Sequence, residues 1–194
     1  METEANSQAV EFGRTRISFA AGEPVDQSVQ AIICPANVRG MMPSSGSHSL
    51  RFSTGPEVER QVRALAPLNL GTAVVTSSGK LDQRGVEQLI HAIISEEPGA
   101  GAVLPTVRNA LSAALELAQR DRVRSLAIPM LGLEADASPD KRTLWIEGIV
   151  DEVVAQLRRG PSILDFVILV SRYPDDRDLA IAALVNARAR SWRS

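Results

Sequence analysis

The chain has 194 residues, of which 44% are hydrophobic and 23% charged, and its formal net charge at pH 7 is -2. These are the values of an ordinary globular domain, and the small net charge together with only 4% aromatic residues argues against strong general affinity for nucleic acid. One cysteine, a polar amino-terminal stretch and the lack of an apolar run of roughly 20 residues favour a cytoplasmic protein without disulfides or a membrane span.

The start of the chain predicts a polar tail followed by outer strands of a sheet. We expect residues 1–9 to be a disordered tail and residues 10–194 to form a single domain. Between Val10 and Ala21 apolar and polar residues alternate, which predicts one or two β-strands. These strands are expected to end at Gly22-Glu23-Pro24, because glycine and proline interrupt regular structure.

A buried strand and a long loop follow. Ala31 to Cys34 are four consecutive apolar residues bounded by Pro35, a pattern typical of a strand that is covered on both faces. Residues 38–56 are dominated by glycine, serine and proline, and they predict a long loop. Long loops in compact domains are usually functional or disordered. We therefore expect the functional site to include this loop.

From residue 56 onward, predicted helices and strands alternate. Apolar spacing predicts helices over 57–66, 106–119, 144–157 and from 174, and strands over 70–79, 86–95, 125–133 and 164–171. His91 lies in an apolar run and is interpreted as a core histidine in the sheet, whereas residues 134–142 indicate only a loop. The alternation predicts an α/β domain with a mostly parallel sheet and helices on both faces.

Three short motifs resemble the macrodomain family. The stretch from Val29 to Asn37 is similar to the family signature in which Asn-Ala-Ala-Asn ends a central strand, with Ala36-Asn37 matching and Cys34 in place of the first asparagine. Gly22-Glu23-Pro24 resembles the family's Gly-Asp-Ile step. Residues 125–133 resemble the strand that ends in a proline and opens a second phosphate loop, of whose Ser-x-Gly only Gly132 remains.

The resemblance implies a three-layer α/β/α fold with a mostly parallel mixed sheet of about six or seven strands. It also implies an ADP-ribose site at the strand ends, where Asn37 holds the distal ribose, Glu23 accepts a hydrogen bond from the adenine amino group and Tyr173 covers the adenine ring. Backbone donors in the loops 40–49 and 130–134 would bind the phosphates. The candidate ligand-binding residues are Glu23, Ala36, Asn37, Gly40, Gly46, Ser47, His48, Met130, Leu131, Gly132, Leu133 and Tyr173.

Several candidate residues also have simpler interpretations. Asn37 offers two donors and an acceptor to a ligand, yet a loop asparagine also hydrogen-bonds its own turn. His48 lies in the polar loop, where it contacts phosphate, acts as an acid or base, or is a solvated surface residue. Arg39 and Arg51 flank this loop and are candidates for local positive charge near a diphosphate. Cys34 is interpreted as a buried structural thiol.

The resemblance to the macrodomain family implies two possible functions, and the departures from its motifs suggest a third. The first is binding of ADP-ribose or a related nucleotide diphosphate, free or attached to protein or nucleic acid. The second is hydrolysis of ADP-ribosyl groups or of O-acetyl-ADP-ribose, with Asn37 as the catalytic residue that positions water. The third is a scaffold with altered or lost ligand specificity, which Met130 and Leu131 favour by replacing polar positions. Metal-ligand, P-loop and Gly-x-Ser-x-Gly patterns are absent from the sequence, so no cofactor is expected.

Overall fold

The computed structural model describes residues 9–42, 48–97 and 99–191 of the chain. Within them, seven strands form one sheet: β1 (Val10–Phe12), β2 (Thr15–Ala21), β3 (Ala31–Asn37), β4 (Ala73–Ser77), β5 (Gln88–Ser95), β6 (Ser125–Pro129) and β7 (Phe166–Ser171). Their spatial order is β1-β2-β7-β6-β3-β5-β4. The two outer pairs, β1 with β2 and β4 with β5, are antiparallel, and the four inner pairs are parallel.

Helices cover both faces of this sheet. They are α1 (His48–Thr54), α2 (Pro56–Ala64), α3 (Leu104–Arg120), α4 (Pro139–Arg158) and α5 (Asp176–Ser191). The larger core lies between the sheet and α3, α4 and α5, and the smaller core lies on the other face, with α1 and α2. The predicted three-layer α/β/α fold with a mostly parallel mixed sheet is therefore confirmed.

Strand β3 lies between the two cores, which accounts for its continuous apolar run. Ala31 and Ile33 belong to the larger core, whereas Ile32 and Cys34 belong to the smaller core on the opposite face. All seven residues of β3 are buried. Successive side chains of a strand point to opposite faces, so a strand is apolar over the length that packs on a core on each side, here Ala31 to Cys34.

The structure corrects three predicted boundaries. β3 does not end before Pro35 but continues through it to Asn37, paired along this length with β5. Part of the predicted loop 38–56 is helical, because α1 begins at His48. Part of the predicted loop 134–142 is also helical, because α4 begins at Pro139 after Ser138, whose hydroxyl accepts a hydrogen bond from the N–H of Lys141.

Two further predictions concern the amino-terminal tail and membrane-spanning segments. Residues 1–8 of the predicted tail lie outside the described residues. Among the helices that the structure describes, none combines the length and the apolar character needed to cross a bilayer.

Candidate functional site

A cleft of about 400 Å³ opens at the carboxyl ends of the strands. Strand β3 pairs with β6 only at Ala31 and Ile32, although β3 runs on beside β5 as far as Asn37. The ends of β5, β6 and β7 and the segment that follows β2 line the cleft, together with residues 99–102 and the loop 130–136. Parallel strand ends are the usual position of ligand sites in open α/β sheets.

Core packing and a hydrogen bond from α4 fix the loop that follows β6. The Leu131 side chain is buried in the larger core, and the Leu131 carbonyl accepts a hydrogen bond of 2.7 Å from Nε1 of Trp145. Gly132 has a φ of +70°, and a Cβ atom there would lie 2.7 Å from Cβ of Ala102. Only glycine fits this position without strain or displacement of its neighbours. Packing at Leu131 and Gly132 therefore fixes the backbone of this loop beside the cleft.

Several backbone donors of this loop have no acceptor. The N–H groups of Met130, Leu131 and Leu133 donate to the carbonyls of Val170, Pro129 and Met130. In contrast, the N–H groups of four cleft-lining residues make no hydrogen bond within the described part of the chain. These four are Gly132, Glu134, Ala135 and Asp136. Adjacent unpaired N–H groups form a concave site suited to an anion.

The part of the cleft beside the ends of β2 and β7 carries charged and aromatic side chains. Glu23 follows β2 and forms an ion pair with Arg172, whose Nη2 lies 3.2 Å from Oε2 of Glu23. Tyr173 follows β7 and is 41% exposed, so its ring is accessible to a ligand. The guanidinium carbon of Arg142 lies 4.7 Å from the centroid of this ring. Glu23, Arg172 and Tyr173 all line the cleft.

Asn37 lies at the end of β3 and is buried. Its Oδ1 accepts hydrogen bonds of 3.0 Å from the N–H groups of Arg39 and Met41. The oxygen therefore stabilises the turn after β3, and a ligand contact would have to come from the amide NH₂ group. Ala36 and Asn37 are not among the residues that line the 400 Å³ cleft.

The remaining candidates in and beside the first loop are three glycine, serine and histidine positions past Gly40, Gly40 itself, and two arginines. Gly40 has a φ of +70° and packs against α2, where an added Cβ would lie 2.7 Å from the Val62 carbonyl oxygen, so its backbone approach to α2 explains the glycine. Gly46, Ser47 and the side chain of His48 lie outside the described residues. Arg39 pairs with Glu97 and Arg51 with Glu59.

Cys34, His91 and Thr76 form a buried polar chain in the sheet. Nδ1 of His91 lies 3.2 Å from Sγ of Cys34, and Nε2 lies 2.8 Å from Oγ1 of Thr76. Burial lowers the pKa of His91 to about 3 and raises the pKa of the Cys34 thiol. Both groups are neutral at pH 7, so this pair supplies neither a thiolate nor an imidazolium. The interpretations of Cys34 as structural and of His91 as a core histidine agree with this burial.

Arg142 and Asp176 connect the loops beside the cleft, although neither lines it, and sequence reasoning missed them. Nη1 of Arg142 lies 2.8 and 3.0 Å from the two carboxylate oxygens of Asp176, which is completely buried. Arg142 falls in a segment predicted to be a loop, and Asp176 begins a helix, where an acidic residue is common. No local pattern signals that residues 34 positions apart form a pair. Among the described residues, no group of three or more histidine, cysteine, aspartate or glutamate residues is placed to hold a metal ion.

The fold and the cleft define a three-layer α/β/α protein with a candidate anion site at its strand ends. The family model for the Macro domain matches residues 33–146. The chain is 34% identical over 154 residues to an uncharacterized protein of Aquifex aeolicus, which covers 79% of this chain and 88% of that protein. It is 33% identical over 121 residues to an uncharacterized protein of Aeropyrum pernix, which covers 62% of each chain. The chain belongs to the Macro domain family, which confirms the resemblance seen in its motifs.

Solved macrodomain structures share this fold at low sequence identity. The Oceanobacillus iheyensis macrodomain with MES bound has a TM-score of 0.78 and 14% identity, with 94% of this chain and 97% of that chain covered. The Trypanosoma brucei macrodomain in complex with ADP-ribose has a TM-score of 0.73 and 17% identity, with 87% of this chain and 68% of that chain covered.

Proposed function

We propose that this protein binds ADP-ribose or a related nucleotide diphosphate in the cleft at the strand ends. The observation that carries the proposal is the group of unpaired N–H groups at Gly132 and between Glu134 and Asp136. Donors of this kind bind phosphate oxygens without a positive side chain. The Trypanosoma brucei macrodomain has been solved with ADP and with ADP-ribose, which supports this ligand class for a member of the family.

The charges that line the cleft are compatible with an anionic ligand. Glu23 pairs with Arg172, and Glu134 pairs with Lys141 through an Nζ to Oε2 distance of 2.5 Å. Each of these two carboxylates is offset by a neighbouring cation, whereas Asp136, which also lines the cleft, forms no ion pair within the described part of the chain. The backbone donors at residues 132–136 can then attract a diphosphate locally, although the whole chain carries a net charge of -2.

Size and shape also suit a nucleotide. A volume of about 400 Å³ lies within the range of about 300–1,000 Å³ that is typical of small-molecule sites. The Tyr173 ring would cover the base, and the Glu23 carboxylate would accept a hydrogen bond from a base amino group. Because both residues follow neighbouring parallel strands, β2 and β7, they lie at one end of the same cleft.

Asn37 is buried and does not line the 400 Å³ cleft, so the proposed binding mode requires the distal ribose to extend beyond that cleft toward the Asn37 NH₂ group. A carboxamide oxygen has two lone pairs, and both face the N–H groups of Arg39 and Met41. This oxygen is therefore poorly placed to accept a hydrogen from a reacting water. For this reason we propose binding, and not hydrolysis of ADP-ribosyl groups, as the function of the site.

The alternative of a scaffold whose cleft is filled by apolar side chains has less support. Leu131 points into the larger core, and Met130 packs against that core as well. The cleft keeps a volume of about 400 Å³ beside them. Met130 and Leu131 both line the cleft, so the replacement of polar residues at these positions makes part of its wall apolar without filling it.

Amide chemical shifts of ¹⁵N-labelled protein, recorded during a titration with ADP-ribose, test the proposal. We expect saturable shifts at Gly132, Glu134, Ala135 and Asp136, because a bound phosphate changes the environment of the N–H groups that contact it. The amides of Gly160 and Ser162, in a separate surface groove, serve as an internal control and should not shift. Unchanged spectra at millimolar ADP-ribose would reject the proposal.

A further inference from the structure

Arg142 contacts both of the loops that form one wall of the cleft. It lies in the first turn of α4, and its Nη2 donates hydrogen bonds of 3.2 and 3.1 Å to the carbonyls of Glu134 and Ala135. Nη1 binds the carboxylate of Asp176, and the guanidinium group lies over the Tyr173 ring. One side chain thus joins the loop after β6 to the loop after β7.

The partner of Arg142 is itself fixed in place. Asp176 is completely buried, and the hydroxyl of Ser171 donates a hydrogen bond to it. The Ser171 Oγ also accepts a hydrogen bond of 3.2 Å from the N–H of Tyr173. A buried carboxylate needs such partners, and here its partners set the path of the loop that carries Tyr173.

We propose that Arg142 is a positioning residue that sets the distance between the two ends of the ligand site. This inference rests on the proposed function, in which residues 132–136 bind phosphate and Tyr173 covers the base. When the spacing between the two ends matches one ligand, binding of the first part brings the second part to its own site at high effective concentration. Loss of the connection would therefore weaken a ligand that spans both ends more than either fragment.

Arginine is the side chain that this arrangement requires. Its planar fork presents donors in two directions, one toward the Asp176 carboxylate and one toward the loop carbonyls. Lysine keeps the charge but concentrates its donors on one nitrogen, so it cannot hold both loops in the same way. The conservative substitution Arg142→Lys is therefore an informative variant.

The test compares Arg142→Lys with a matched control. Arg108→Lys alters another arginine that reaches α4, where its Nε lies 3.3 Å from Oε2 of the buried Glu152, and neither residue lines the cleft. Dissociation constants are measured for ADP-ribose, AMP and ribose 5-phosphate. We expect Arg142→Lys to weaken ADP-ribose binding by about tenfold or more, with each fragment changed by no more than about twofold. Arg108→Lys should leave all three constants unchanged.

Hydrogen exchange of the free protein gives a readout that does not depend on the ligand. We expect the amides of Leu133 and Tyr173 to exchange faster in Arg142→Lys, and in Arg142→Gln as a second variant, than in Arg108→Lys. Amides of β3 should be unaffected, which excludes general unfolding. Equal weakening of all three ligands, unchanged ADP-ribose affinity, or unchanged exchange in both loops would overturn the inference.

Failure of the proposed function has a different signature. If the native protein binds none of the three ligands, that function is wrong, and hydrogen exchange alone then decides the role of Arg142. Faster exchange in both loops would support a positioning role, and exchange equal to that of Arg108→Lys would overturn it.

Discussion

His91 shows how the surroundings of one side chain determine its chemistry. The Thr76 hydroxyl donates a hydrogen bond of 3.0 Å to the Ser77 carbonyl, so its oxygen accepts from Nε2–H of His91. Nδ1 then carries a lone pair and accepts from the Cys34 thiol. A neutral ring with its proton on Nε2 satisfies all three side chains, and a protonated ring would turn the Cys34 thiol proton away from Nδ1 toward the Ile90 carbonyl, which lies 3.7 Å from Sγ.

This arrangement predicts acid sensitivity. The pKa of His91 falls from an ordinary 6.5 to about 3 on burial, so between these values the unfolded chain binds more protons than the folded one. The contribution of neutral His91 to the free energy of unfolding is complete above about pH 6.5. It is lost progressively as the pH falls toward 3, by up to about 5 kcal/mol. We expect urea unfolding between pH 7.5 and 4.5 to show a steeper loss in the native protein than in His91→Gln. Equal slopes would show that His91 is not responsible.

At the scale of elements, the loop after β6 depends on α4 and on one glycine. The first turns of α4 supply Lys141 to the Glu134 carboxylate and Trp145 to the Leu131 carbonyl. Gly132 allows the backbone to pass between Ala102 and Val107, whose side chains would lie 2.7 and 3.2 Å from an added Cβ. The shape of the candidate phosphate site thus follows from packing beneath it.

Replacement of Gly132 should therefore cost stability in two ways. Gly132→Ala combines a left-handed φ with a steric clash of the added Cβ. At Gly85, φ is +82° but an added Cβ would meet no atom within 4 Å. At Gly160 an added Cβ also meets no atom within 4 Å, and φ is not left-handed. Thermal or urea unfolding should show the largest loss for Gly132→Ala, about 2–4 kcal/mol, and a loss of about 1 kcal/mol for Gly85→Ala. A Gly132→Ala protein as stable as Gly160→Ala would contradict this description of the loop.

Sequence patterns predicted these elements to different extents. The buried run of β3 and the apolar spacing of α3 are strong signals, because a face that packs on a core must be apolar at each contact position. Helix α1 was missed because 48–54 includes several polar residues, although the Ser138-Pro139 start of α4 was a readable signal. The resemblance to the family predicted that Glu23 and Tyr173 lie at the same part of the site, and both line the cleft. The pairing of Arg142 with Asp176 depends on three-dimensional packing and could not be predicted.

At the scale of the whole molecule, the sheet and the cleft are consequences of the same topology. Because four parallel strand pairs place their carboxyl ends at one edge of the sheet, the loops after β2, β5, β6 and β7 meet there. The packed layers below fix these loops, so the site presents backbone donors and an exposed aromatic ring. The proposed recognition of a nucleotide diphosphate would then depend on backbone groups at this edge of the sheet more than on any single charged side chain.

Isothermal calorimetry with ADP-ribose is the most direct test of nucleotide binding by this protein, with Asn37→Asp as the comparison variant. Aspartate keeps the oxygen that accepts from Arg39 and Met41 but removes the NH₂ donor, so the turn should persist while the ribose contact is lost. We expect the native protein to bind ADP-ribose saturably at one site. The affinity of Asn37→Asp should be about tenfold lower, as expected for loss of one hydrogen bond. Equal affinity of both proteins would remove Asn37 from the site, and no saturable heat from the native protein would contradict the proposed function itself.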